Sequence, residues 1–585
     1  MCNRTIPVSL PSTHTFAAFT VITASLFYCQ PQFEQNSGLR PVIPSPVIMD
    51  SILKNIFLFL FALPCALSGQ TLFDIRVDTA SIAGLPGLHS FAAATHEGKW
   101  LFIGGRIDGM HQKFNAFSTS SANQQIQVVD PLTGQLWQRP LSELPDTLRE
   151  QLHSANMEFV QQGGTLVFAG GYGRSEVAQD HITYPCLTLI DVPGLMDAVT
   201  GGGALQPHFQ QIRDTFFAVT GGQLQLLNDT FYLVGGHRFQ GVYSANSGTN
   251  ILQFYTNAIR KFTLDSVGGA WLVTHQSAVV DELNLHRRDY NLAPQIFAGG
   301  ETGFTAFSGV FQPGLALAPF LNPVEIRPSG HVPVEGFNQY LANYHCAKVP
   351  VFAQADNAMH TLFFGGISQY WLDANDSLNR DNRLPFVKTV SRVSRLADGT
   401  YEEAGFDAEL PFFTGSSAEF MLADGIPTLT NGIVDYDALP DGEQLLGYIV
   451  GGIVTPESQR NPFVANTVGI TSASSQIIQV FLLKNTTGVS PEKPLPEGRF
   501  DLGLAVSPNP ASDRWNLDLN LPRAGRLRCT LQDAQGKIIR QTDWGQQAAG
   551  PHQFTLPAAD LTAGAYWITA NLDGVFMQTK TVSKL

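Results

Sequence analysis

Charge is scarce in this chain. Only 14% of its 585 residues are Asp, Glu, Lys or Arg, and the formal net charge is −14. An acidic chain lacks the basic footprint that a nucleic-acid backbone requires, so no nucleic-acid partner is expected. Cysteine is scarce as well. Of six cysteines, Cys2, Cys29 and Cys65 lie in the first 69 residues, and Cys186, Cys346 and Cys529 lie beyond. The last three are far apart and odd in number, so they make neither a disulfide framework nor a CxxC metal motif. They read as isolated buried thiols, with one long-range pair as the alternative. Catalytic signatures are missing: there is no GxSxG elbow, no phosphate loop and no HExxH. The histidines are too scattered for a zinc site. Asp373-Ala374-Asn375-Asp376 with Asp381, and Asp435-Tyr436-Asp437 with Asp441 and Glu443, gather oxygens. Neither has the spacing of a calcium loop, and both read as solvated turns. No cofactor is expected.

Glycine and proline are plentiful. The chain has 54 Gly and 35 Pro against 44% hydrophobic residues, the balance of a turn-rich β protein. Its length calls for two or more domains. An apolar strand running into a diglycine recurs, first as Leu101-Phe102-Ile103-Gly104-Gly105. Further copies end at Gly170-Gly171, Gly235-Gly236, Gly299-Gly300, Gly365-Gly366 and Gly451-Gly452. Their first glycines follow one another at 66, 65, 64, 66 and 86 residues. Such a period marks an internal repeat.

One unit is clearest in the first copy. Phe91 to Thr95 is a small-residue strand, His96-Glu97-Gly98-Lys99 a turn, and Trp100 to Ile103 a second strand. After a loop, Ile126 to Asp130 is a third strand, Pro131-Leu132-Thr133-Gly134 a turn, and Trp137 lies in a fourth strand. Four antiparallel strands per unit make a propeller blade, and blades must pack in a ring to bury both faces. The fourth copy is ambiguous: Gly299 to Gly303 also fits a hairpin turn, with Phe304 to Phe311 as the second strand. The last unit ends with Gln476 to Leu483 as a third strand and nothing after it. Residues 72–77 are expected to supply its fourth strand and so close the ring, removing exposed edges.

These features resemble the Kelch repeat family: a strand, a tight turn, an apolar strand ending in Gly-Gly, an Asp-Pro turn and a Trp. The resemblance implies an all-β chain, with a six-bladed Kelch-like β-propeller over 70–485 followed by an immunoglobulin-like β-sandwich over 500–585, across a linker at 486–499. Ahead of the propeller, residues 1–48 read as a non-native or disordered extension. Residues 49–69 read as a secretory signal peptide. They carry Lys54, then an apolar core from Ile56 to Leu63, then Ala66 and Ser68. That core is too short to span a bilayer, so the mature chain is expected to have no membrane span.

The tail contains Pro508-Asn509-Pro510, a Leu561-Thr562-Ala563-Gly564-Ala565-Tyr566 strand start and a Lys580-Thr581-Val582-Ser583-Lys584 ending. It resembles the C-terminal sorting domain of type IX secretion substrates. The resemblance implies the type IX machinery as a partner, and location outside or on the surface of a Gram-negative bacterium.

In the blade reading, residues just before each first strand and just after each diglycine share one face at the channel mouth. That face collects His89, Arg106, His153, Arg174, His237, Arg238, His286, Arg287, Arg288 and Tyr370, with Asp108, Tyr172, Asp289, Tyr344, His345 and Gln369. Arginine and aromatic groups offer directed hydrogen bonds and stacking for an anionic or sugar ligand. The alternative is that these side chains cap loops and pair with carboxylates. The expected function is a secreted or surface binding protein recognising protein or glycan through this rim. Two other readings stand beside it: a carbohydrate-active enzyme, mutarotase-like or oxidase-like, and a structural surface-layer component. The oxidase type would need a tyrosine–cysteine crosslink with histidine ligands, which Tyr184-Pro185-Cys186 does not match.

Overall fold

The computed structural model describes residues 73–111, 116–243, 252–312, 318–461, 469–484, 493–495, 502–521, 524–534, 537–572 and 576–585. The chain divides into two units, Met1–Gly69 and Gln70–Leu585, and the first lies outside the described residues, as does the signal-peptide reading. Six main sheets follow one another along the second unit, and a further four-stranded sheet is made of Tyr172–Ser175, Asp180–Thr183, His237–Gln240 and Leu252–Tyr255. The first contains Ala92–His96, Lys99–Ile103, Gln125–Asp130 and Gln135–Pro140 in that order. The second contains Glu158–Gln162, Thr165–Ala169, Cys186–Asp191 and Phe209–Arg213. The third contains Gln223–Leu227, Thr230–Val234, Ala258–Val267 and Ala270–Val280, and the fourth Asn291–Ile296, Thr302–Phe307, Val324–Arg327 and Gly330–Pro333. The fifth is built on Ala347–Ala353, Ala358–Ile367, Phe386–Arg395 and Tyr401–Glu409.

The sixth sheet differs in the origin of its strands. Ser416–Leu422, Gly442–Val454 and Gln476–Lys484 are joined by Phe73–Ser81 from the other end of the unit. The register runs without a break from Phe73 opposite Lys484 to Ser81 opposite Gln476. The strand expected at 72–77 is therefore present and extends to Ser81.

Each sheet shares an apolar core with the next. Leu101 and Ile103 meet Leu166 and Phe168 between the first and second sheets. Val167 and Leu189 meet Phe217 and Phe231 between the second and third. Tyr232 meets Phe304, Phe307 meets Phe363, and Phe364 meets Ile449 at the following three junctions. The series returns to its start where Tyr448 and Val450 pack on Trp100 and Phe102.

Two cycles of backbone hydrogen bonds tie the sheets together. In the inner one, a residue ahead of or at the start of each first strand donates to its counterpart in the preceding sheet. Asn156 donates to Ser90, Gly221 to Asn156, Asp289 to Gly221, His345 to Asp289, Ser417 to His345 and Ser90 to Ser417, at 2.8–3.2 Å. In the other, the N–H that ends each second strand donates to the following sheet. Gly105 reaches Ser154 O, Gly171 Val219 O, Gly236 Arg287 O, Gly309 Asn343 O, Gly366 Thr414 O and Gly452 Leu88 O, at 2.7–3.0 Å.

This latch explains the diglycines. Gly170 and Gly171 have φ of 64° and 87°, and a Cβ on Gly170 would run into the Val219 carbonyl oxygen. Only glycine meets both demands at little cost. In the fourth sheet Gly299-Gly300 lies in the hairpin turn instead, and Ser308-Gly309 makes the latch with φ of 51° and 99°. Of the two readings of that copy, the hairpin one holds.

The tail has two antiparallel sheets. One contains Ala505–Ser507, Arg514–Leu521 and Gly550–Pro557, and the other Ile538–Gln547, Gly525–Asp533, Gly564–Leu572 and Phe576–Lys584. Strict alternation in Arg514–Leu521 sends Trp515, Leu517, Leu519 and Leu521 inward, where they meet Leu527, Leu531 and Ile568 of the other sheet. Within the stretch read as linker, Lys493–Pro494 is a short strand on the outer edge of the fifth sheet.

Candidate functional site

The segments ahead of the first strands and behind the second strands do meet. His89 bridges to Arg106, Ala155 to Tyr172, Thr220 to His237 and Arg288 to Val310. Side chains from these bridges gather on one side of the inner cycle, together with residues from the long loops.

Arg288 lies at the centre of this gathering, with its side chain 14% exposed. Its guanidinium lies 3.7 Å from Asp289, 3.3 Å from His237 Nδ1 and 4.7 Å from the centre of the Phe311 ring. Arg288 Nε has no hydrogen-bond partner. Burial, reinforced by Arg288, depresses the pKa of His237 well below the ordinary value and brings that of His286 to about 4. Both rings are therefore neutral at physiological pH. His286 stacks on Tyr255 at 3.7 Å and donates from Nδ1 to Asn257 Oδ1, 2.8 Å away. Aromatic contacts continue from His237 to Phe239, Tyr172 and Phe117, and Arg106 lies over Phe117 at 4.9 Å. Tyr243 lies against Phe239 and His111. The result is an aromatic layer with two guanidiniums in it.

Arg106 is already satisfied by a bidentate bond to Asp108 at 2.9 and 2.5 Å. Burial opposes ionisation of Asp108, but the nearby His89 ring and the hydrogen bonds and charge of Arg106 prevail and hold its carboxyl at about 2. His89, 3.8 Å from the same carboxylate, is buried and its pKa is lowered by that burial. Arg288 has no such bidentate partner and faces aromatic rings, which makes it the stronger candidate to meet a ligand.

The other rim candidates lie elsewhere. His153 contacts Arg174 O and the Tyr184 hydroxyl, and Arg174 donates to Gln179 O at 2.8 Å. That pair braces a hairpin. Arg238 is exposed and lies 5.7 Å over Phe254. Tyr370 is buried beside Tyr340, Leu341 and Leu372. Arg287 is 1% exposed and donates to Asn284 O, Ser308 O and Asn322 Oδ1 at 2.6–3.2 Å, under Phe320. It braces the latch segment at Ser308 rather than facing the mouth.

On the opposite side of the inner cycle, the first strands wall a cavity of about 120 Å³. Glu158, Lys348 and Glu419 line it beside Asp289 and His345. Burial raises Glu158 to about 8, only partly offset by the Gly222 N–H that bonds its Oε1 at 2.7 Å. Burial raises Glu419 to about 7 against the pull of Lys348. These acids fall within strands, and the loop-based reading of the sequence missed them. Their one signal was a charged side chain in an inner strand.

Asp373 uses Oδ1 on the Asn375 and Ser377 amides, and Asp437 uses Oδ2 on the Gln354 and Ala355 amides. Both loops are thus capped turns. Among the described residues no cluster of His, Cys, Asp and Glu is placed to hold a metal, and Cys186, Cys346 and Cys529 are buried free thiols. Among those residues, too, no helix is long and apolar enough to cross a membrane.

Residues 505–584 match the family of secretion system C-terminal sorting domains. This domain directs export by the type IX secretion system, with secretion and cell-surface attachment in Bacteroidetes-type bacteria. No curated protein matches the chain at a significant level. The solved structure of YjhT is similar with a TM-score of 0.37 and 8% identity, over 68% of this chain and 98% of that one.

Proposed function

We propose that the exported body is a six-bladed Kelch-like propeller that binds a glycan or protein at the Arg288 mouth, and that the tail is an immunoglobulin-like sandwich. The two hydrogen-bond cycles, each with six members returning to its start, support the blade count. The observation that carries the binding reading is Arg288, a guanidinium without a bidentate carboxylate among Tyr255, Phe311 and His237. A planar cation among aromatic faces suits a ligand with both an acceptor group and an apolar face.

A second reading, a carbohydrate-active enzyme, draws on the raised acids Glu158 and Glu419 in one cavity. That cavity, about 120 Å³, is well below the roughly 300–1,000 Å³ of ligand pockets, so the binding reading is placed first.

The test is a glycan array and a surface-protein overlay with the exported chain, then turnover assays on every hit. Arg288→Ala is expected to weaken the hit by at least about tenfold, the usual order for a hydrogen-bonded charge. Arg287→Ala is expected instead to cost about 3 kcal/mol of stability by orphaning buried acceptors. Undiminished binding by Arg288→Ala rules out this site.

A further inference from the structure

Seventeen residues separate Lys484, which ends the sixth sheet, from Leu502 in the tail. Composition alone makes this stretch a free tether. Yet in its middle Lys493–Pro494 pairs antiparallel with Gly405 and Ala404 on the outer edge of the fifth sheet. Lys493 Nζ lies between two carboxylates, 2.6 Å from Asp376 and 2.8 Å from Asp407. Leu495 N donates to Glu403 O at 3.1 Å, and its side chain packs on the cluster of Tyr340, Leu341, Tyr370 and Leu372. Glu403 in turn accepts from the Tyr340 and Leu341 amides at 2.7 and 3.0 Å, which sets that cluster in place. An acidic edge with an apolar seat two residues on complements a Lys-Pro-Leu segment in charge and in spacing.

We propose that this edge is a clasp for the tether of the sorting domain, so that the export tail is held to the body by its own linker. The clasp divides the tether. Unclasped, seventeen residues reach at most about 60 Å; clasped, the six from 496 to 501 reach about 20 Å. A direct ion pair between tail and body, Lys580 with Glu335 at 3.3 Å, is exposed on both sides and worth little. The clasp is the stronger hold because it combines backbone pairing, a doubly paired lysine and a seated leucine.

The test uses the full exported chain and a broad-specificity protease, with cut sites read by mass spectrometry. Lys493→Glu is expected to speed cleavage within 485–501 by at least about tenfold, with the thermal midpoint of the body unchanged. Adding Asp407→Lys to Lys493→Glu is expected to restore slow cleavage. Leu495→Ser, which leaves all charges in place, is expected to open the tether as well. Equal cleavage of the parent and Lys493→Glu overturns the clasp. So does fast cleavage that the charge swap fails to reverse.

Discussion

A chain lacking Phe73–Ser81 is expected to lose the cooperative unfolding of its six-sheet body. That strand is the fourth of the sixth sheet and lies nine residue pairs deep along Gln476–Lys484. Without it, the strand 476–484 becomes a bare edge and the junction between fifth and sixth sheets opens. Phe73 is the anchor. It is fully buried and meets Phe406 at 6.1 Å and both Tyr436 and His360 at 5.8 Å, with Arg392 over its ring at 5.7 Å. Opposite it, Lys484 Nζ donates to Tyr436 O and Leu439 O at 2.9 and 2.7 Å, so the strand end is pinned from both sides. Phe73→Ala alone should cost about 3–5 kcal/mol, and Phe73→Leu distinctly less, because more of the cavity stays filled. Calorimetry of the three variants checks the order. A deletion variant that melts with the parent's midpoint and a single transition would show that the strand closes nothing.

The repeat was legible because the latch demands a specific residue type. Gly170 and Gly451 must both accept positive φ and leave room for a neighbouring carbonyl, so the requirement appears in the sequence as a spelling. It failed at the fourth copy because Ser308 adopts the same backbone conformation without being glycine. The rim was legible only as a face. Arg287 and Arg288 are adjacent, and in extended backbone adjacent side chains point to opposite sides, so one of the two was bound to turn inward. Which one depends on the Ser308 and Asn284 carbonyls, which no spacing reveals. Phe117, Tyr243 and Phe311 come from loops without periodicity and Tyr255 from a short strand beside His237, so nothing in their order marks them as one layer. Glu158 and Glu419 are a different case. Their burial arises because residues of several first strands wall one cavity, and a strand read by itself has no knowledge of the others. The linker misled for a related reason: Lys493 is an ordinary tether residue until Asp376 and Asp407 stand opposite it.

The cavity acids also make stability depend on pH in a direction opposite to most surface carboxylates. Glu158 is 1% exposed, and burial raises its pKa from 4.5 to about 8 in the folded chain. The folded state therefore holds this proton more tightly than the unfolded state does. Its contribution is complete below about pH 4.5 and is lost as pH climbs to 8, because the unfolded chain ionises freely and the folded one does not. That rise from 4.5 to about 8 corresponds to about 5 kcal/mol lost across the window. Glu158→Gln keeps an acceptor for the Gly222 N–H and removes the ionisation. Its stability is expected to match the parent near pH 4.5 and to exceed it by several kcal/mol at pH 9. Glu419, raised to about 7 with Lys348 opposing the shift, adds a smaller slope of the same sign. Denaturant midpoints at pH 5, 7 and 9 decide the matter. If the parent and Glu158→Gln decline together over that range, Glu158 is ionised in the folded chain. The cavity must then hold a compensating positive charge nearer than Lys348.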